Sequence, residues 1–262
     1  MPRQAAARVL IVLPAYRESK RLPRVLAEIA ARPVPNDGAA FDVRFMVVDD
    51  GSGPEECEKL LAGIREHGLP QVVSLRRLAV NRGKGGAIKE GFEEGLRSDY
   101  DYLGFMDADG SVPVSQLYEA LAYLRERDQT PLAAVAGSRV QMLGREVVRS
   151  ALRHYTGRVF ATFVSLCFGV RMYDSQCGLK VFKAGVLRRY LSIPDDFRWV
   201  WDTELVLAML HGGETVHELP IDWREVGGSK VSFFRDPVIM AAHLIAFRLS
   251  RWRSLVGRAP MI

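Results

Sequence analysis

Two carboxylates close the apolar run YLGFM: Asp107 and Asp109 stand one residue apart in the segment YLGFMDADG, residues 102–110. In an extended chain, residues i and i+2 point the same way, roughly 6.6 Å apart. Two like charges aimed at one point repel, and one pKa rises unless a cation sits between them. A divalent ion held by oxygen ligands removes the conflict. Mg²⁺ and Mn²⁺ suit such ligands, and Mg²⁺ commonly takes one or two carboxylates together with phosphate oxygens of a substrate. The acids have a second reading, because Asp109-Gly110-Ser111 is also a turn that caps a following helix. An isolated D-x-D does not decide between the two.

The elements that must position these acids follow from the apolar pattern. VLIVL (9–13), VRFMVV (43–48), QVVSL (71–75), YLGFM (102–106) and LAAVAG (132–137) read as short buried strands. Between them, apolar residues recur at helical spacing: Leu22, Val25, Leu26 and Ile29; Cys57, Leu60, Leu61 and Ile64; Ile88, Phe92 and Leu96; Leu117, Leu121 and Leu124. Strands alternating with helices predict an α/β fold with a mostly parallel central sheet and helices on both faces. Ligands of such sheets bind beyond the carboxyl ends of the strands. That rule selects the loops at 14–19, 49–54, 81–86 and 107–111. The second half is less regular: a long helix is expected over 147–170, a second helical stretch at WVWDTELVLAML, and a strand at TVHELPI.

Bulk composition narrows the class. The chain has 262 residues, 48% hydrophobic and 26% charged, which suits a folded domain with a core that needs no disulfide staples. Its three cysteines, Cys57, Cys167 and Cys177, lie far apart without C-x-x-C spacing, which argues against a structural zinc site and fits a reducing compartment. The net charge of +5 is compatible with anionic partners or with plain solubility. No signal-peptide pattern and no apolar run of about 20 residues is present, so no spanning helix is expected.

Two nucleotide folds are excluded by their loops. A dinucleotide-binding fold needs G-x-G-x-x-G after the first strand, but the loop there is PAYRES, without glycine. The phosphate loop G-x-x-x-x-G-K-[ST] is also missing, since NRGKGG has Gly-Lys at the wrong spacing.

The combination of PAYRES, VVDDGS and DADGS at three strand ends resembles the inverting family 2 glycosyltransferases of the GT-A fold. The resemblance extends over nearly the whole chain. NRGKGGAIKEG (81–91), DSQCGLKVF (174–182), WDTEL (201–205) and WREVGGSK (223–230) stand in the order found in dolichyl-phosphate β-glucosyltransferases. The related dolichyl-phosphate mannose synthases share the early motifs more than the late ones. The resemblance implies transfer of a sugar, glucose foremost, from a UDP-sugar to a polyprenyl phosphate, with Mg²⁺ or Mn²⁺ as cofactor. The alternatives are a mannosyltransferase using GDP-mannose, or a non-catalytic nucleotide-sugar-binding protein. No nucleic-acid partner is expected.

Carried over motif by motif, Pro14, Tyr16 and Glu18 shape the nucleotide pocket, and Asp50 accepts the N3–H of a uracil. Asp49 is read as a turn cap or a ligand. Lys84, in its glycine-flanked loop, approaches the donor. Asp107 and Asp109, with Ala108 between them, hold the metal and through it the diphosphate. Arg139, Arg224 and Lys230 match cationic positions that meet the leaving nucleoside diphosphate, whose negative charge grows in the transition state. Asp202 is the candidate general base, with a helix N-cap before Thr203 as the competing reading. A phosphate acceptor, already a dianion near neutral pH, lessens the need for a base. Asp174 and Gln176 are read as orienting the acceptor side, and Cys177 as a small packing residue. Trp199 and Trp201 either contact sugar or pack.

The resemblance places residues 1–235 in the GT-A domain. Residues 236–262, with Arg248, Arg251, Trp252 and Arg253 among apolar neighbours, form a basic amphipathic helix that either docks on the domain or lies in a membrane interface. The expected location is cytoplasmic, peripheral on the cytosolic face of a membrane.

Overall fold

The structure is a computed structural model, and it describes residues 6–31, 41–196, 198–227 and 235–252. The first half alternates as its apolar pattern dictates: β1 (Ala7–Ala15), α1 (Leu22–Ala31), β2 (Phe41–Asp49), α2 (Pro54–Glu66), β3 (Val73–Arg77), α3 (Lys84–Leu96), β4 (Tyr102–Met106), α4 (Val114–Glu126) and β5 (Leu132–Ser138). There follow β6 (Val147–Val148), α5 (Ala151–Phe168), β7 (Leu179–Lys183), α6 (Ala184–Tyr190), α7 (Trp201–His211), β8 (Thr215–Pro220), β9 (Trp223–Arg224) and α8 (Arg235–Phe247), which runs into a wider turn at Arg248–Trp252.

Seven strands form one sheet in the order β3-β2-β1-β4-β7-β5-β8. All neighbours are parallel except β7, which runs antiparallel between β4 and β5. Period-two alternation splits the core between the two faces. Val9, Ile11 and Leu13 meet α1, α2 and α4 on one side, while Leu10 and Val12 meet α3, α6 and α7 on the other.

Two expectations shift, and one further strand is added. The third strand begins at Val73 rather than Gln71, because the N–H groups of Val72 and Val73 both donate back to the Leu69 carbonyl in a turn. The long helix starts at Ala151 rather than Val147, since Val147 and Val148 pair with Trp223 and Arg224 and Ser150 caps the helix. LKVFK, within DSQCGLKVF, is the inserted antiparallel strand.

The order reverses direction between β1 and β4, and this is where the doubly wound geometry opens a crevice at the carboxyl ends. The loop after β1 and the acids after β4 face one another there. α8 packs Met240, Leu244 and Phe247 against Val164 and Phe168 of α5, and its Pro237 and Met240 reach the crevice.

Candidate active site

A cleft of about 600 Å³ lies at that switch point. Pro14, Tyr16, Glu18, Asp50, Lys84, Asp107, Ala108, Asp109, Arg139 and Asp202 all line it. Arg224 does not. Its side chain is 56% exposed and bonded to Glu146 at 2.8 and 3.0 Å, so the structure corrects its expected place beside the donor. The reason is geometric: Arg224 pairs with Val148 in the small β6–β9 sheet at the rim. Lys230 lies outside the described residues.

The acid after β4 is fixed from three directions. The Asp107 N–H donates to the Gly178 carbonyl at 2.9 Å. Its carboxylate meets Lys84 Nζ at 2.6 Å. Gly178 packs so tightly on that carboxylate that any Cβ there would collide with it, which is why the position needs glycine. Burial raises the Asp107 pKa, with the charge of Asp109 adding to it and Lys84 opposing. Burial alone would lower Lys84, but Asp107 and Asp202 outweigh it and keep the ammonium charged. Asp109 combines both of its sequence readings. It accepts the Ser111 N–H at 3.0 Å as a turn cap, and its other oxygen faces Arg21 Nη1 at 3.6 Å.

Across the crevice, Asp50 is held by the N–H groups of Arg82 and Gly83 at 2.6 and 2.9 Å, so its two oxygens are anchored by the glycine-rich loop before α3. Gly83 takes φ +87° there, a conformation that favours glycine. Asp49 is a turn cap, accepting the Ser52 N–H at 3.1 Å.

Another part of the cleft wall is built around Asp174. It takes Arg139 Nε and Nη2 at 2.6 and 2.8 Å and the Arg139 N–H at 3.0 Å. Burial would raise this carboxyl, but the Arg139 charge and hydrogen bonds win and hold it down at about 2. Arg139 is therefore a clamped cation rather than a free one. Gln176 donates to Thr203 Oγ1 at 2.6 Å. Cys177 is fully buried, and its thiol is pushed up to about 12 by burial and by Asp174, which suits packing and not nucleophilic attack.

Asp202 is neither a cap nor an unengaged base. The helix begins one residue earlier, at Trp201, and Asp202 Oδ2 is bound by Lys180 Nζ at 2.5 Å. Lys180 is 1% exposed and also donates to the carbonyls of Ser175 and Cys177 at 3.1 and 2.9 Å. Trp201 is buried against Phe92, whereas Trp199 lines the cleft. Arg21, Arg149 and Lys180 escape a reading by motif. Only Lys180 leaves a mark in the sequence, as a charge between the apolar Leu179 and Val181 of a strand.

The segment carrying Arg198 and Trp199 is pinned by a buried acid. Glu204 accepts the N–H groups of Asp195 and Asp196 at 2.8 and 3.0 Å, and the Arg198 carbonyl receives the Gly85 N–H at 3.0 Å. Burial, only partly offset by those two N–H groups, pushes the Glu204 carboxyl up from 4.5 to about 7. A folded-state pKa above the unfolded one favours the native state at low pH, and that contribution is lost as pH rises from 4.5 through 7. The loss is worth about 3 kcal/mol. Denaturant unfolding of Glu204→Gln against the parent is expected to show the variant gaining about that much relative stability between pH 4.5 and 7.5. A difference that stays flat with pH would refute the assignment.

Two acids on the cleft wall fit a hard divalent ion, which takes one or two carboxylates and leaves its other positions to substrate oxygens. Asp107 and Asp109 are the residues that would hold it. Among the described residues, no group of three or more His, Cys, Asp or Glu side chains is placed to hold a metal.

Comparison with known proteins agrees with this geometry. Residues 10–190 match the family model described as glycosyl transferase family 2. The dolichyl-phosphate beta-glucosyltransferase of Dictyostelium discoideum is 30% identical over 253 residues, covering 94% of this chain and 75% of that one. The Saccharomyces cerevisiae enzyme of the same name is 30% identical, covering 92% and 74%. Among solved structures, glucosyl-3-phosphoglycerate synthase from Mycobacterium tuberculosis with Mn²⁺, UDP and phosphoglyceric acid superimposes with a TM-score of 0.63 at 16% identity, covering 97% of this chain and 80% of that one. Mannosyl-3-phosphoglycerate synthase from Rubrobacter xylanophilus gives 0.64 at 17% identity, covering 98% and 77%. These two likenesses establish the GT-A fold.

Proposed function

Because the chain belongs to glycosyl transferase family 2, we propose that it transfers glucose from UDP-glucose to a polyprenyl phosphate, with inversion and with Mg²⁺ or Mn²⁺ bound at Asp107 and Asp109. The observation that carries the acceptor class is Arg149. It lines the cleft, and none of the ion pairs among the described residues engages it. Its Nη2 donates to the Arg139 carbonyl at 3.1 Å and to His154 Nδ1 at 2.8 Å, while its Nε is buried without a partner. Burial and the neighbouring Arg139 charge lower its pKa. Asp174, the acid that would neutralise it, is bound to Arg139 instead. A half-buried guanidinium whose Nε lacks a partner, and which no ion pair among the described residues neutralises, calls for an anion from outside the chain.

The surroundings favour an anion carried by a lipid. Residues 147–173 contain Arg149, Arg153, Arg158 and Arg171 and no Asp or Glu, and residues 237–262 likewise contain no acid. α5, α8 and the turn after α8 expose Tyr155, Val159, Leu166, Val238 and Leu249, with Leu166 80% exposed. Exposed apolar side chains among an excess of cations, with Glu225 on Arg153 and Asp236 in the first turn of α8 as acids beside them, suit an anionic leaflet. Among the described residues, no helix is long and apolar enough to cross a membrane.

In the proposed reaction a phosphate oxygen of the acceptor attacks the anomeric carbon. The bond from that carbon to the UDP oxygen breaks, and UDP leaves with the electron pair. A divalent ion held by Asp107 and Asp109 would supply charge neutralisation for the diphosphate. Lys84 meets the developing negative charge from the donor side, while Arg149, steadied by His154, holds the acceptor phosphate. The phosphate is already ionised near neutral pH, so no base is required. Asp202, clamped by Lys180, orients this wall and takes no proton.

The test is product analysis with UDP-glucose, other UDP-sugars and GDP-mannose. Each is offered to a short polyprenyl phosphate in anionic vesicles and to 3-phosphoglycerate in solution. Glucosyl transfer from UDP-glucose to the lipid phosphate is expected. Arg149→Met is expected to raise the acceptor KM roughly 10- to 100-fold while leaving the donor KM in place, the loss of one charge-assisted hydrogen bond. Transfer confined to the soluble acceptor or to GDP-mannose would overturn the proposal, as would an unchanged acceptor KM.

A further inference from the structure

We propose that Lys84 and Arg21 are resident counter-ions of the paired acids, and that they make divalent-metal binding conditional on the arrival of the donor diphosphate. The inference rests on reading the cleft as a nucleoside-diphosphate-sugar site. Lys84, the first residue of α3, places Nζ 2.6 Å from Asp107 Oδ1. Arg21, just before α1, places Nη1 3.6 Å from Asp109 Oδ2. Each acid thus faces a cation of its own, and both cations line the cleft.

Neither cation is a loosely held surface group. Arg21 is fixed by Glu18, which takes its Nε and Nη2 at 2.7 and 2.5 Å, and its Nη1 donates to the Gly227 carbonyl at 3.3 Å. Glu18 is 6% exposed, so this pair is built into the floor of the cleft. Lys84 lies with its ammonium 5.5 Å from the centre of the Phe105 ring, and its side chain is 23% exposed.

A dication approaching Asp107 and Asp109 alone would meet two positive charges already at contact distance from its intended ligands. Like charges that close oppose one another strongly in a partly buried site. The chain offers little to offset this, because the described residues contain no third acid, histidine or cysteine grouped with the pair. Hard cations of this class require about six oxygens. A diphosphate changes both conditions together. It supplies phosphate oxygens, and it offers Lys84 and Arg21 anions of higher charge than a carboxylate, which releases Asp107 and Asp109. The same side chains that exclude the free ion then grip the donor.

The experiment titrates Mn²⁺ into the full chain, with and without UDP, reading free Mn²⁺ by electron paramagnetic resonance. Mn²⁺ is expected to bind at least tenfold more weakly without UDP than with it. Lys84→Met is expected to tighten Mn²⁺ binding in the absence of UDP by about tenfold, since one opposing charge at contact distance is gone, while weakening UDP binding. Arg21→Gln, whose amide stands where the arginine Nε meets Glu18, is expected to act in the same two directions and serves should Lys84→Met fail to fold. Equal Mn²⁺ affinity with and without UDP in the parent chain would overturn the inference, as would variants that bind free Mn²⁺ no better than the parent. UDP that fails to bind at any Mn²⁺ concentration would overturn the underlying reading of the cleft instead.

Discussion

Asp109→Asn is expected to lower sugar transfer about 10³-fold while leaving the fold intact, the scale of losing a charge that stabilises the transition state. The amide oxygen can still accept the Ser111 N–H, so the turn survives. The side chain is 27% exposed, so little core packing is lost. What disappears is the negative charge on the cleft wall facing Arg21. Thermal unfolding close to that of the parent, together with collapsed turnover, would separate a functional role from a structural one. A variant that retains more than about a tenth of parental turnover would mean that Asp109 is only the turn cap its spacing also suggests.

Lys180→Met is expected to destabilise the chain by about 3–5 kcal/mol, among the larger effects available to one substitution. The ammonium is 1% exposed and joins three acceptors: Asp202 Oδ2 and the carbonyls of Ser175 and Cys177. Methionine fits the volume but leaves a buried carboxylate and two carbonyls without their donor. The Lys180→Met/Asp202→Asn double variant should recover part of the loss, because the uncompensated charge is gone. Denaturant midpoints of the two single variants and the double variant give the coupling. Purely additive losses would refute the pair as a unit. Turnover should fall as well, since the segment that Lys180 ties down carries Asp174, which holds Arg139, and Gly178, which receives the Asp107 N–H.

The failure of Arg224 to reach the cleft shows where motif reading stops. Its place in WREVGGSK is correct for the late basic loop, yet two-residue pairing with Val148 turns its side chain toward Glu146. Arg21 shows the converse. Nothing in RESKRLP marks it, but the turn after β1 brings it to Asp109 and to Gly227, 206 positions away.

By itself the sequence determined the alternating strands and helices, the carboxyl-end loops as the place for a ligand, and Asp107 and Asp109 as the acids there. Those features are local, because burial on two sheet faces imposes a period of two, packing imposes the helical period, and a strand end is visible as a change from apolar to polar. The tertiary structure alone decided the antiparallel insertion of β7, the pairing of Lys180 with Asp202, the counter-ions on the two acids and the orphaned Nε of Arg149. Charges act through distance in space, and the fold, not the spacing along the chain, sets which of them come within a few ångströms.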